Sequence, residues 1–173
     1  KAMPEIQSRR ALFVATLLHD IAKGRGGNHS ILGAEVALLV CPRLGLTSEE
    51  TETVSWLVRH HLMMSKTAFR YDLNDPKTIQ DFASIVQSPE RLKLLFVLTV
   101  ADIRAVGPNI WNGWKAALMR ELYHSCDAVL RGADPMAVAL GNVDEAQCKA
   151  RSMLVSWTDS EFESHVKQLP LVY

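Results

Sequence analysis

Apolar residues recur at helical period along nearly the whole chain, and no stretch alternates like a half-buried strand. From Ser8 to Lys23 the pattern predicts a first helix with Leu12, Phe13, Leu17 and Ile21 facing inward, stopped by Gly24, Gly26 and Gly27. A second is expected from about Ser30 to Val40, ending around Pro42 and Gly45. Thr47 followed by Glu50 makes a capping box for a third, Ser48 to about Met63. Asp75-Pro76 and Ser88-Pro89 are each a cap followed by proline in the first turn. They open helices ending near Gln87 and near Val106, the latter closed by Gly107, and a long helix follows from about Asn109 to Leu130, closed by Gly132. Lys66 to Asp75 reads as a solvated interhelical loop, with partner docking as its functional alternative, and Gly132 to Asn142 as the linker. Beyond it come a helix near Asp144 to Val155 and another capped by Thr158 and Glu161. The expectation is an all-α, multi-helix single domain without internal repeats.

Composition narrows the setting. With 173 residues the chain can bury a real core, and Lys plus Arg cancels Asp plus Glu at 19 each. No net field therefore points to nucleic acid or to an anionic membrane. The longest apolar run, Leu94 to Ala101, is too short for a bilayer. Cys41, Cys126 and Cys148 are widely spaced and odd in number, which suits reduced thiols in a cytoplasmic setting. No basic-then-apolar leader opens the chain. The start, KAMPEIQSRR, runs straight into a helix pattern and the end, LPLVY, has no stop signal, so the sequence reads as a piece of something longer.

Against this background the histidines stand out, because four of the six fall in two short segments. His19 follows Leu12 and Ala15 at helical spacing, Asp20 follows Phe13, Thr16 and Leu17, and Lys23 lies one turn on. His61 shares a stripe with Val54, Leu57, Val58 and Ser65, whereas His60 sits with Trp56 and Met63 on the neighbouring edge. Asp102 shares a face with Leu95, Thr99 and Val106 in surroundings that are apolar all round, where an ionised carboxylate is costly unless paired or metal-bound. Each residue alone has a plain structural account. A core histidine is usually hydrogen-bonded, an aspartate can pair with Arg104 or Arg59, and Lys23 offsets a helix dipole above a glycine stop. The convergence of His19, Asp20, His29, His60, His61 and Asp102 in one small domain favours mixed imidazole and carboxylate ligation of Mn²⁺, Fe²⁺, Zn²⁺ or Mg²⁺.

These residues resemble the signature of the HD-domain metal-dependent phosphohydrolases, with HDIAK at His19 to Lys23 as the central motif and VADIRA around Asp102 as the closing one. Three longer strings, LLHDIAKGRGGNHSILGAEVA, SWLVRHHLMMSKTAFRYDLNDPKTIQDFA and LLFVLTVADIRAVGPNIWNGWKAALMRELY, are similar to the HD domains of bacterial uridylyltransferase/uridylyl-removing enzymes. The likeness covers roughly Leu12 to Leu130 and weakens from Gly132 onward. It implies an HD-domain helical bundle over 1–131, with 132–173 leading toward regulatory ACT domains outside these residues. It also implies hydrolysis of UMP from a tyrosine of the signal protein PII, with Mn²⁺ or Mg²⁺ as cofactor and Fe²⁺ or Zn²⁺ as alternatives, and glutamine acting through the absent domains. The pattern that attaches UMP is not found in these residues.

Carried over by position, His19, Asp20 and Asp102 are metal ligands, and His29, His61 and His60 fall where a second ion is held, with Asp20 bridging. Asp20 and Lys23 then carry the catalysis. Of the histidine pair His61 is favoured, leaving His60 behind it or facing substrate. The family pattern starts with a further histidine on an earlier helix, and Lys1 to Leu18 contains none. Two rival functions share much of the pattern. One is an HD phosphodiesterase or nucleotidase acting on a free nucleotide, the other a helical regulatory module without catalysis.

Overall fold

The computed structural model describes residues 6–107 and 110–168. Among them lie α1 (Arg9–Leu18), α2 (His29–Val40), α3 (Ser48–His60), α4 (Met63–Arg70), α5 (Pro76–Val86), α6 (Pro89–Val106), α7 (Gly113–Leu130), α8 (Pro135–Met153) and α9 (Asp159–Val166), and no strand. The protein is all-α. No helix among the described residues is long and apolar enough to cross a membrane.

The caps explain most of these boundaries. Thr47 and Glu50 complete the expected capping box of α3, and Thr158 and Glu161 that of α9. Asp75 and Ser88 cap α5 and α6 ahead of their prolines. The expected start of the long helix at Asn109 lies outside the described residues, as does the LPLVY end; α7 is capped by Asn112.

α3 and α6 form the centre. α1 packs on both, α2 lies on α3, and α7 backs α4, α5 and α6, with α8 laid against α5 and α7. A continuous apolar core runs from Ile6 to Cys126 through Leu57, Met64, Leu92, Leu95, Leu98, Met119 and Leu122. α8 buries Ala139 alone, so the chain beyond α7 adds little to this core.

Four expectations are corrected. The buried face of α1 is Ala11, Leu12, Ala15 and Leu18, whereas Phe13 and Leu17 are 62% and 72% exposed and Ile21 is exposed as well. Small alanines let α1 approach its neighbours closely and turn the larger residues outward. α1 also ends at Leu18, so His19 to Lys23 form a turn. Much of the expected loop at Lys66 to Asp75 is α4, pinned by buried Met64 and Ala68. The expected linker is largely the first half of α8, opened by Asp134 and Pro135 just as Asp75 and Pro76 open α5.

Candidate metal centre

Helix ends meet at one side of α6. His19 is the residue after α1, His29 is the first residue of α2 behind its Asn28 cap, and His61 is the residue after α3. Asp20 stands between them in the turn that leaves α1. His19 keeps helical backbone, and the chain continues as a turn in which the Ile21 N–H donates to the Leu18 carbonyl at 3.0 Å.

Asp20 is the hub. Its Oδ1 lies 3.6 Å from His29 Nε2 and 3.9 Å from His61 Nε2. Its Oδ2 lies 3.7 Å from His19 Nε2 and accepts a hydrogen bond from Lys23 Nζ at 2.8 Å. His19 Nε2 is in turn 3.4 Å from Asp102 Oδ1. The His61 ring stands edge-on to both other imidazoles, each with its centroid 5.3 Å away.

Two of the rings are oriented in the same way. His19 Nδ1 donates to the Thr16 carbonyl at 2.8 Å, and His61 Nδ1 donates to the Val58 carbonyl at 2.7 Å, each bond reaching three residues back. With the proton on Nδ1, both Nε2 lone pairs point into the cluster, an arrangement that fixes tautomer and ring direction in metal sites. Burial lowers the pKa of His61, outweighing the help its charged form draws from Val58, so the ring stays a neutral donor. At Asp20 burial acts to raise the pKa, but the Lys23 hydrogen bond and nearby His19 outweigh it and hold the carboxyl below its ordinary range.

Neighbouring helices are locked around these donors. Gly33 of α2 lies against Val58, where an added Cβ would come 3.0 Å from Val58 Cγ1 and 3.9 Å from the His19 carbonyl. Ser55 Oγ of α3 donates to the Ala34 carbonyl of α2 at 3.1 Å. Buried Thr99, one turn before Asp102 on α6, donates to the Leu95 carbonyl at 2.8 Å and stands 3.4 Å from the His61 carbonyl. The sequence pattern puts Thr99 on the Asp102 face but does not single out its contact with the His61 carbonyl, the close approach at Gly33 or the Thr16 and Val58 carbonyls. The i, i−3 spacing of Thr16 from His19 and of Val58 from His61 was the available signal.

The structure thus brings His19, Asp20, Lys23, His29, His61 and Asp102 together. It does not bring His60, whose ring packs on Trp56 at 4.9 Å, with the Arg91 guanidinium 5.0 Å from the same indole. Burial, then Arg59 and Arg91, lower the pKa of His60. The Asp102 carboxylate is less buried than expected, with its side chain 24% exposed at the rim where α6 leaves the core.

The donor set fits a divalent cation. Ligand atoms of Asp20, His29 and His61 all lie within 4.8 Å of one another. Bond lengths of about 2.1 Å place two ligands of one ion up to about 4.2 Å apart, so small rotations close the set. The two Asp20 oxygens face different partners, one toward His29 and His61, the other toward His19 and the Asp102 side.

Residues 3–105 match the HD domain, and the chain belongs to the HD-domain family. Among curated proteins it is 60% identical over 162 residues to the bifunctional uridylyltransferase/uridylyl-removing enzyme of Azospirillum brasilense, a match covering 94% of the chain and 17% of that enzyme. The enzyme of the same name from Rhodospirillum rubrum is 66% identical over 132 residues, 76% of the chain and 14% of the relative. That of Zymomonas mobilis is 51% identical over 167 residues, 96% of the chain and 18% of the relative. The chain therefore spans less than a fifth of the length of these relatives.

Proposed function

We propose that this domain is a cytoplasmic metal-dependent phosphodiesterase that removes the uridylyl group from a tyrosine of the signal protein PII, releasing UMP. The observation that carries the reading is the Asp20 carboxylate standing among three imidazoles and Asp102, in a chain whose relatives bear the uridylyl-removing name. His29, His61 and Asp20 would hold one cation, His19, Asp20 and Asp102 would hold a second, and Mn²⁺ or Mg²⁺ suits this mix of donors. When bound, such a cation supplies a water acidic enough to attack phosphorus near neutral pH and offsets charge on the phosphate.

The chain's own groups do the rest. The Lys23 side chain is 71% exposed and its ammonium reaches the cluster edge, where it can meet a non-bridging phosphate oxygen as charge grows there. Hydrogen bonds from Nδ1 keep His19 and His61 from taking up the wrong tautomer. A tyrosine phenolate leaves with little need for a proton donor, and none is assigned. Residues 1–131 form the hydrolase unit in this reading, with 132–173 leading toward regulatory domains through which glutamine acts.

The test is UMP release from uridylylated PII with Mn²⁺ present. Asp20→Ala should abolish release, and unchanged release would overturn the assignment. A nucleotidase would instead hydrolyse free nucleotides with no protein present. A chain lacking stoichiometric metal by elemental analysis after Mn²⁺ loading would favour the non-catalytic module.

A further inference from the structure

Away from the metal centre, α4, α7 and α8 frame a groove that the hydrolytic site does not use. Its first part is a cleft of about 380 Å³ lined by Phe69, Tyr71, Asp72, Asn74, Trp114 and Glu121. Its second is a cleft of about 490 Å³ that shares Asn74 and Glu121 and continues past His124 and Glu145 to Lys149. One end is aromatic. Phe69 and Trp114 stack with centroids 6.1 Å apart, while Trp114 is 61% and Tyr71 54% exposed, unusual for rings of this size.

The other end is acidic, with Asp72, Glu121 and Glu145 against Lys149. Asp72 Oδ1 accepts the Asn74 backbone N–H at 2.9 Å, which fixes its carboxylate beside the aromatic end. Glu121 is half-buried between Asp72 and Glu145, so three carboxyl groups line this part of the groove beside the single ammonium of Lys149. A cation already rests at the aromatic end: Lys115 Nζ lies 5.8 Å from the Phe69 centroid, tethered by the Ile110 carbonyl at 2.9 Å. Aromatic faces beside carboxylates form the chemistry that holds a guanidinium or ammonium side chain.

We propose that this groove docks a basic segment of the uridylylated protein substrate, with an Arg or Lys side chain laid between Trp114 and the Glu121–Glu145 carboxylates. The inference rests on the protein-substrate reading above. α4 begins two residues after His61 and its far end lines the groove, so this one helix joins the two regions along the chain. Anchoring there makes affinity independent of the modified tyrosine itself, which a hydrolase acting on a protein needs in order to select its partner.

Binding tests it apart from catalysis. Immobilised uridylylated PII is titrated with the full-length enzyme carrying Asp20→Asn to stop turnover, and the dissociation constant is read by biolayer interferometry. Adding Trp114→Ala, or separately Glu145→Lys, should weaken binding on the order of tenfold or more, with the Glu145→Lys loss shrinking at high salt. Circular dichroism melts identify a variant that fails to fold, and the exposed Glu145→Lys change then decides alone. Equal affinity in both folded variants, or no binding by the parent protein, would overturn the proposal. Hydrolysis of the p-nitrophenyl ester of UMP by the same substitutions in the active protein should be unchanged. Failure of the parent to release UMP from any substrate would instead overturn the proposed activity.

Discussion

His19 and His61 are tied by Nδ1 to a carbonyl of their own helix, so the direction of each Nε2 is set before any ion arrives. Partners of this kind commonly change metal affinity by about 10–100-fold, and a direct ligand should matter more. Asp20→Asn is therefore expected to weaken Mn²⁺ binding by more than about a hundredfold in a calorimetric titration; retained affinity would place the ion elsewhere. The cysteines give a second expectation at this scale. Burial and then Asp127 push the Cys126 thiol up to about 12, and burial raises Cys41, whereas Cys148 is exposed. At pH 8 a maleimide should label Cys148 within minutes and the other two after denaturation, as mass spectrometry of tryptic peptides would show. Prompt labelling of Cys126 in the native protein would contradict its burial. The burial of His61 is legible in the sequence because it continues the apolar stripe of Val54, Leu57 and Val58, and the fold buries that stripe. The outward turn of Asp102 was not legible, since helical period gives a face but not the point where a helix emerges from its neighbours.

The close approach of α2 to α3 at Gly33 gives an element its role in the site. A methyl group there must push Val58, the residue whose carbonyl orients His61. Gly33→Ala is expected to cost about 1–3 kcal/mol by overpacking and to lower Mn²⁺ affinity along with it, measured by denaturant melts and titration. A more stable variant with normal affinity would show that the helices have slack. Capping signals made most boundaries readable, including both Thr–Glu boxes. The buried face of α1 is hidden from the hydrophobic pattern because Phe13, Leu17 and Ile21 outweigh alanines there, while close packing favours Ala11 and Ala15. The short α4 is hard to see in the sequence because Lys66, Thr67 and Arg70 look solvated, and two buried residues, Met64 and Ala68, hold it against α6 and α7. The start of α8 looks like a linker in the sequence because Gly132 and Pro135 read as a break, although Asp134 before proline is an opening cap.

For the whole molecule, charge and metal set stability together. The unfolded chain takes up a proton at His61 near the ordinary histidine value of 6.5, while the folded ring resists it until lower pH. The stability involved is present above 6.5 and is lost as pH falls below it, and the lowered Asp20 carboxyl adds a further loss in more acidic solution. Melting temperature without metal should thus drop on going from pH 7 to pH 5, and less so for His61→Gln; identical slopes would remove His61 from this role. Adding Mn²⁺ should raise the melting temperature at pH 7.5 with a dependence on concentration, and that gain should fade on acidification as protons compete for the imidazoles. The Lys23–Asp20 contact bears on the charge balance of the cluster. The Asp20 and Asp102 carboxylates share one small cluster, and the Lys23 ammonium supplies positive charge beside them, 2.8 Å from Asp20 Oδ2. A divalent cation held by the same oxygen would compete with the Lys23 ammonium for it, and would leave that exposed lysine at the rim freer to turn toward an incoming anion.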